Sequence, residues 1–477
     1  MKDNTKEPEV PVLLEKLWEL LMGAREAFGQ ERVFRRVVGM VLAEMMTLGR
    51  HTVTQLLRTL GAISCDWSAF YRIFSRGRWD EAALGAQLLR ETLEHVRGSA
   101  PYVVTVDGVR IPRSGQQVAG SSWWPAPNTA YFRRGLERAQ RFVEIAWLTP
   151  EQESYCRAIP LRWLAAVTAK SVPSSSTPCK EWEAGQQALT WAREQLNAQG
   201  REATRLVGVL DGNYDTQGIW SALPANTTLL VRCAKNRALY ALPENSPGDP
   251  SQRGRPALYG ARQPNPRAWL RPRQQLQTLT VRIRGRERQL KYRVVGPVVV
   301  EGAPQCPLFL LVVGGQTWRH GRKQKYRQPA YYLVNALRQA DRWVLPFPIA
   351  TLLQWAWQRW ECEVAHRDLK SALRIGDKQC WSASAALVAV QWGVWVYGLC
   401  MLAGYRAWGI TAGPCRQGRW YPHARRWSFS TLRQAFQAAL WEYTDFHPLY
   451  ARSLEKWLQK DLWLTGLANA LADPAYI

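Results

Sequence analysis

This 477-residue chain is poor in acid. It sets only 38 Asp and Glu against 63 Lys and Arg, leaving a formal charge of +25. That balance disfavours cationic partners and makes a polyanion, nucleic acid foremost, the expected one. Its nine Cys contain no CxxC pair and keep no regular spacing with the six His. A zinc site and a disulfide framework are therefore not indicated, and reduced thiols in a cytosolic protein are expected. The opening MKDNTKEPEV is polar, so no secretory signal is read there. Long apolar runs are nearly absent. One, from Ala386 to Tyr405, could by length span a bilayer. Its Gln391, its three Gly and its isolation point instead to a helix buried in the core, with no membrane partner.

What the chain has in excess is base and ring. Lys and Arg are spread along its whole length, which favours a broad binding surface over a single basic arm. The 25 Trp and 17 Tyr supply core packing and, in places, flat surfaces for unpaired bases. The length suits roughly three domains. Residues 1 to 98 read as helical. Their segments GRHTVTQLLRTLG and DWSAFYRIFSRGRW have the size and basic flanks of a helix-turn-helix, although a plain helical subdomain fits equally.

From 99 to 234 strands take over. PYVVTVDGVRIP is a β-branched run ending at Asp107-Gly108, and RLVGVL is a second run that delivers Asp211-Gly212. Between Ser114 and Gly135 the composition is that of a loop. A β-rich, basic insertion is expected from 235 to 334, where Arg282, Arg284, Arg286, Arg288, Lys291 and Arg293 line a hairpin. Such a row suits phosphate contact, or else a solvated face that resists edge pairing. The strand Tyr331 to Ala336 returns to the main sheet. Residues 335 to 412 complete the core, and 413 to 477 form a C-terminal helical region.

The segment Leu352 to Arg374 has no Pro or Gly and reads as one helix of about six turns. At about 100° per residue Arg359, Glu363, Arg367 and Lys370 share a face. Leu353, Trp357, Trp360 and Val364 form an apolar stripe beside it. A solvated face with i,i+4 ion pairs would look the same. The two Asp at strand ends shift the reading. Three acids, Asp107, Asp211 and Glu363, could meet on a mixed sheet as hard oxygen ligands for two Mg²⁺ or Mn²⁺ ions about 3.5–4 Å apart, a set suited to phosphodiester cleavage.

These residues resemble the DDE transposases of the insertion-sequence type. Asp-Gly at one strand end, a second Asp followed three residues later by Tyr214, and a helical Glu after a long insert reproduce the order of that superfamily. Arg359-x3-Glu363-x6-Lys370 matches the Arg, Glu and Lys of the Y-x2-R-x3-E-x6-K signature of one of its groups. The signature Tyr is replaced by Ala356, flanked by Trp355 and Trp357.

The resemblance implies an α/β fold: an RNase H-like mixed sheet flanked by helices, with an N-terminal helical DNA-binding domain and the β-rich insertion. By the same comparison Asp107, Asp211 and Glu363 are catalytic and hold the two metals. Arg359 and Lys370 grip the phosphates of a transposon end. Apart from the resemblance, Arg367 on the same helix face and Arg284 and Arg286 in the basic hairpin row are expected as further DNA contacts. Double-stranded DNA at transposon ends and target is the implied partner. A homodimer or larger synaptic complex on DNA and a prokaryotic, nucleoid-associated cytoplasmic location follow. A DNA-binding protein that keeps the fold without cutting, and a nuclease that cuts without joining, remain as alternatives.

Overall fold

The computed structural model describes residues 11–442 except 63–65, 77–78, 116, 127–134, 172–176, 244–256, 321–322, 381, 417–418 and 421–423. The part of the expected C-terminal helical region beyond residue 442 lies outside them.

Five helices come first: α1 (Val12–Gly23), α2 (Glu31–Met46), α3 (Val53–Thr59), α4 (Ser68–Ser75) and α5 (Glu81–Thr92). Thr52 and Asp80 cap α3 and α5 by accepting backbone N–H groups with their side chains. Strands β1 (Tyr102–Pro112), β2 (Ser121–Pro125), β3 (Leu136–Leu148) and β4 (Ala158–Ala165) follow, then α6 (Glu181–Ala198), β5 (Leu206–Leu210), α7 (Gln217–Ser221) and β6 (Thr227–Arg232). A long β segment comes next: β7 (Tyr240–Ala241), β8 (Gln277–Ile283), β9 (Arg286–Val300), β10 (Ala303–Val313), β11 (Gln316–His320), β12 (Lys323–Arg327), β13 (Ala330–Asn335), β14 (Leu337–Gln339) and β15 (Arg342–Val344). The last elements are α8 (Ile349–Gln358), α9 (Trp360–Ser371), α10 (Ala383–Trp408) and α11 (Phe429–Glu442).

Eleven strands form one open mixed sheet in the order β2-β3-β1-β5-β6-β13-β10-β9-β7, with β4 on β3 and β8 on β9. Strands β1, β5 and β6 are parallel, while β3 and β13 run antiparallel to their neighbours on either side. The central strands are buried on both faces, which explains why VVTV and LVGVL are nearly continuous apolar runs. Strands β8, β9 and β10 extend this same sheet through β13. The Gly- and Pro-rich stretch read as loop contains β2, which pairs with β3 at the sheet edge.

Helices cover both faces. Gly108 lies against Glu181 of α6, whereas Asp107, alternating to the opposite face, meets α9. Helix α10 is apolar all round, which suits burial. It is long and apolar enough to cross a membrane by composition, and 89% of its most apolar window is buried against the rest of the fold. A fully buried polar knot fastens α2 to the segment after α9 and to α10. Glu44 Oε1 accepts from Lys378 Nζ at 2.6 Å and from Trp392 Nε1 at 2.9 Å, and Oε2 pairs with His51 Nδ1 at 2.6 Å. A buried carboxylate demands such partners.

Candidate active site

In the parallel register of β1 and β5, Val106 stands level with Leu210. Asp107 and Asp211 each come one residue after this last level pair. Alternation groups Val103, Thr105 and Asp107 with Val207, Val209 and Asp211, on the face where Leu352, Leu353 and Cys362 of α8 and α9 pack. Asp107 is not at the end of its strand, as Asp-Gly suggests, because β1 runs on to Pro112 in pairing with β3. Gly108 therefore serves the strand: a Cβ there would meet Glu181, itself paired with Arg141.

The expected single helix is two, α8 and α9, jointed at Arg359 (φ −49°, ψ −31°). Its N–H still bonds to Trp355 O at 3.0 Å. Arg359 Nη1 donates to Asp107 Oδ2 and Nη2 to Glu363 Oε1, each at 2.9 Å. The side chain is only 15% exposed. Burial works against its charge, but Asp107, with Asp211 and Glu363 also near, raises its pKa above the ordinary guanidinium value. One guanidinium thus stands among the three acids.

Cys362, Glu144 and His366, which the sequence did not single out, also stand around this site. Cys362 Sγ donates to Asp107 Oδ2 at 3.4 Å, and burial, followed by the Asp107 charge, pushes its thiol well up, so it stays protonated. Directly opposite Asp107 on β3 is Glu144, which is fully buried. Its Oε2 accepts from Trp163 Nε1 at 2.8 Å and pairs with His366 Nε2 at 3.0 Å. Burial opposes the His366 charge, but the Glu144 carboxylate prevails and raises its pKa. Tyr214, three residues past Asp211, is buried with its ring where a Cβ on Gly185 of α6 would be, 2.5 Å away. The i+3 position of His366 relative to Glu363 was the available signal. The register that puts Glu144 opposite Asp107 was not.

The predicted cations are distributed unevenly. Lys370 is exposed, with Glu137, Arg110 and Asp107 as its charged surroundings. Arg367 is solvent-facing and bonds its neighbour Asp368. Arg284, at the β8–β9 turn (φ +50°), donates to Glu361 Oε1 at 3.0 Å, beside Arg426, which holds the same carboxylate. Arg286 is exposed at the start of β9. Of the apolar stripe, Leu353 is buried, but Trp360 is 51% exposed, and the buried face of α9 is Glu361, Cys362, Ala365, His366 and Leu369. Arg359 reaches Asp107 on the sheet and Glu363 meets Arg359, while Trp360 faces solvent and Trp357 packs, partly buried, against the core.

Three carboxylates are the donor chemistry that Mg²⁺ or Mn²⁺ prefers. As arranged, however, they do not fit an ion. Among the described residues no three His, Cys, Asp or Glu side chains gather closely enough to hold one. The guanidinium of Arg359 stands between Asp107 and Glu363 instead.

Comparison with known proteins agrees with this architecture. No curated protein matches the chain. A family model described as DDE superfamily endonuclease matches residues 26–291, more than half of the length. The match takes in Asp107 and Asp211 and stops before Arg359, Glu363 and Lys370. An open mixed sheet flanked by helices is consistent with the RNase H-like fold of such enzymes. With membership come, in general terms, a nuclease-type activity, DNA as partner and dependence on a metal. The chain belongs to the DDE superfamily endonucleases.

Proposed function

We propose that this protein is a DNA transposase that cleaves at terminal inverted repeats and transfers the freed ends to target DNA. The observation that carries the reading is the placing of Asp107 and Asp211 one residue past Val106 and Leu210, the last level pair of two adjoining parallel strands, with Glu363 drawn to Asp107 by Arg359. Water would break a phosphodiester at the element's end, leaving a 3′-hydroxyl and a 5′-phosphate. That hydroxyl would attack a target phosphodiester, displacing the target strand's own 3′-oxygen. The chain's residues bind and orient. Arg359, Lys370 and Arg367 hold phosphates at the end, and Arg284 and Arg286 reach the flanking duplex. Two Mg²⁺ or Mn²⁺ ions are the cofactors this chemistry calls for, with Asp107, Asp211 and Glu363 as their holders once Arg359 has moved onto a phosphate.

Residues 1–98 would serve as a helical DNA-binding domain. Residues 99–234 and 335–412 would be the two parts of the RNase H-like core, 235–334 a β-rich basic insertion and 413–477 a helical region. The working form would be a homodimer or larger synaptic complex at the prokaryotic nucleoid. The arginine seated among the acids favours a second reading, a DNA-binding protein that keeps the fold without cutting. Incubation with a duplex carrying the repeats that flank the coding region separates them. Metal-dependent release of a 3′-hydroxyl and its joining to a second duplex supports transposition; cutting without joining supports a plain nuclease; tight binding without cutting supports the second reading.

A further inference from the structure

The loop between β10 and β13 is itself a two-stranded ribbon, β11–β12, separate from the main sheet. Strands β6 and β13 are antiparallel, with Arg232 opposite Tyr332, and Cys233 N bonds to Tyr331 O at 2.9 Å. The ribbon therefore leaves the sheet at the end where β5, parallel to β6, delivers Asp211. Its root is anchored to the jointed helix. The Arg327 guanidinium lies 4.9 Å from the centroid of Trp357 and donates to Gly314 O at 3.2 Å. Tyr332, at the start of β13, lies within electrostatic reach of both Asp211 and Arg359.

The charge of this ribbon is of one sign. From Gly314 to Ala330 the chain carries Arg319, Arg322, Lys323, Lys325 and Arg327 and no acid. Arg319, Lys323 and Lys325 are exposed, as are the rings of Trp318 and Tyr326. In the antiparallel register Trp318 is opposite Lys325, so ring and cation share a face. An exposed tryptophan among cations costs solubility and gains nothing for the core. A two-stranded ribbon is also the right size for the DNA major groove.

We propose that β11–β12 is a DNA-gripping finger beside the candidate active site, with Arg319, Lys323 and Lys325 on backbone phosphates and Trp318 packed against sugar and base. This rests on the reading that DNA is the substrate. The test is full-length protein with Arg319→Ala, Lys323→Ala and Lys325→Ala combined. Its binding to a mixed-sequence duplex is measured by anisotropy in EDTA over a range of about 50–200 mM salt. The salt dependence is expected to become shallower by about 0.9 per lost phosphate contact, and affinity to fall at low salt. Trp318→Ala is expected to weaken binding at every salt concentration with the slope unchanged. An unaltered slope and affinity in the triple variant would overturn the proposal, leaving the cations to keep the ribbon edges solvated. Metal-dependent cutting by the wild type, scored separately, tests the underlying reading, so either can fail without the other.

Discussion

The guanidinium of Arg359 lies 2.9 Å from the carboxylate of Asp107, across 252 positions of sequence. With its other nitrogen on Glu363, it joins a strand and a helix through charge-assisted hydrogen bonds in a half-buried setting. On the proposed reading a metal ion and this guanidinium would compete for the same oxygens, and DNA phosphate and the carboxylates for the same guanidinium.

It follows that divalent ions and DNA should bind cooperatively. Arg359→Gln is expected to raise Mn²⁺ affinity in the absence of DNA roughly tenfold or more, since a charged hydrogen bond worth about 1.5–3 kcal/mol no longer has to be broken. DNA binding by the same variant should weaken, with a shallower salt slope. Free Mn²⁺ measured by electron paramagnetic resonance reads the first effect. Equal Mn²⁺ affinity in variant and wild type would refute the competition.

The Tyr214 ring packs against Gly185 of α6. Gly185→Ala puts a methyl group 2.5 Å from that ring and is expected to destabilise the fold by about 1–3 kcal/mol. Because Tyr214 follows Asp211 by one short turn, cutting should fall along with stability. Urea denaturation gives the first quantity, and a wild-type midpoint would show that the helix shifts freely.

Acid should attack the knot around Glu44. Burial alone would raise its pKa, but Lys378 and then His51 hold it down at about 2. A depressed carboxylate contributes stability that is fully present above its unfolded value, about 4.5, and is lost as pH falls toward about 2. His51 adds to the trend. Burial lowers its pKa, so stability begins to drop once the unfolded chain takes up that proton near its ordinary value of about 6.5. Glu44→Gln leaves Lys378 buried without its counter-charge and is expected to cost about 3–5 kcal/mol at neutral pH. That deficit should narrow below pH 4.5 in denaturation curves; a constant deficit would deny Glu44 its role.

The sequence revealed elements better than their relations. Helical periodicity marked Glu363 and Arg359 as neighbours one turn apart, and β-branched runs marked β1 and β5. Neither pattern carries register, so the levelling of Val106 with Leu210, just before the two Asp, and of Asp107 with Glu144, is invisible in it. Asp-Gly signalled a turn after Asp107, yet the pairing of β1 with β3 outweighed it and the strand ran through. Arg284 looked like one tooth of a basic comb, and only tertiary contact shows its nitrogen on Glu361. The run Gln316 to Arg327 gives no strand signal in the sequence, because its strands are short, polar and exposed, without the apolar alternation that identifies a buried strand.

The central claim is that Asp107, Asp211 and Glu363 act as one metal-dependent centre. Asp211 tests it best, because among the described residues its carboxylate makes no hydrogen bond whose loss would confuse stability with chemistry. The measurement is nicking of an inverted-repeat duplex in Mg²⁺ by wild type and by Asp211→Asn. The expected result is unimpaired folding and DNA binding with the rate reduced by a hundredfold or more, on the order of losing one transition-state contact or greater. A variant that cuts at the wild-type rate would contradict the claim.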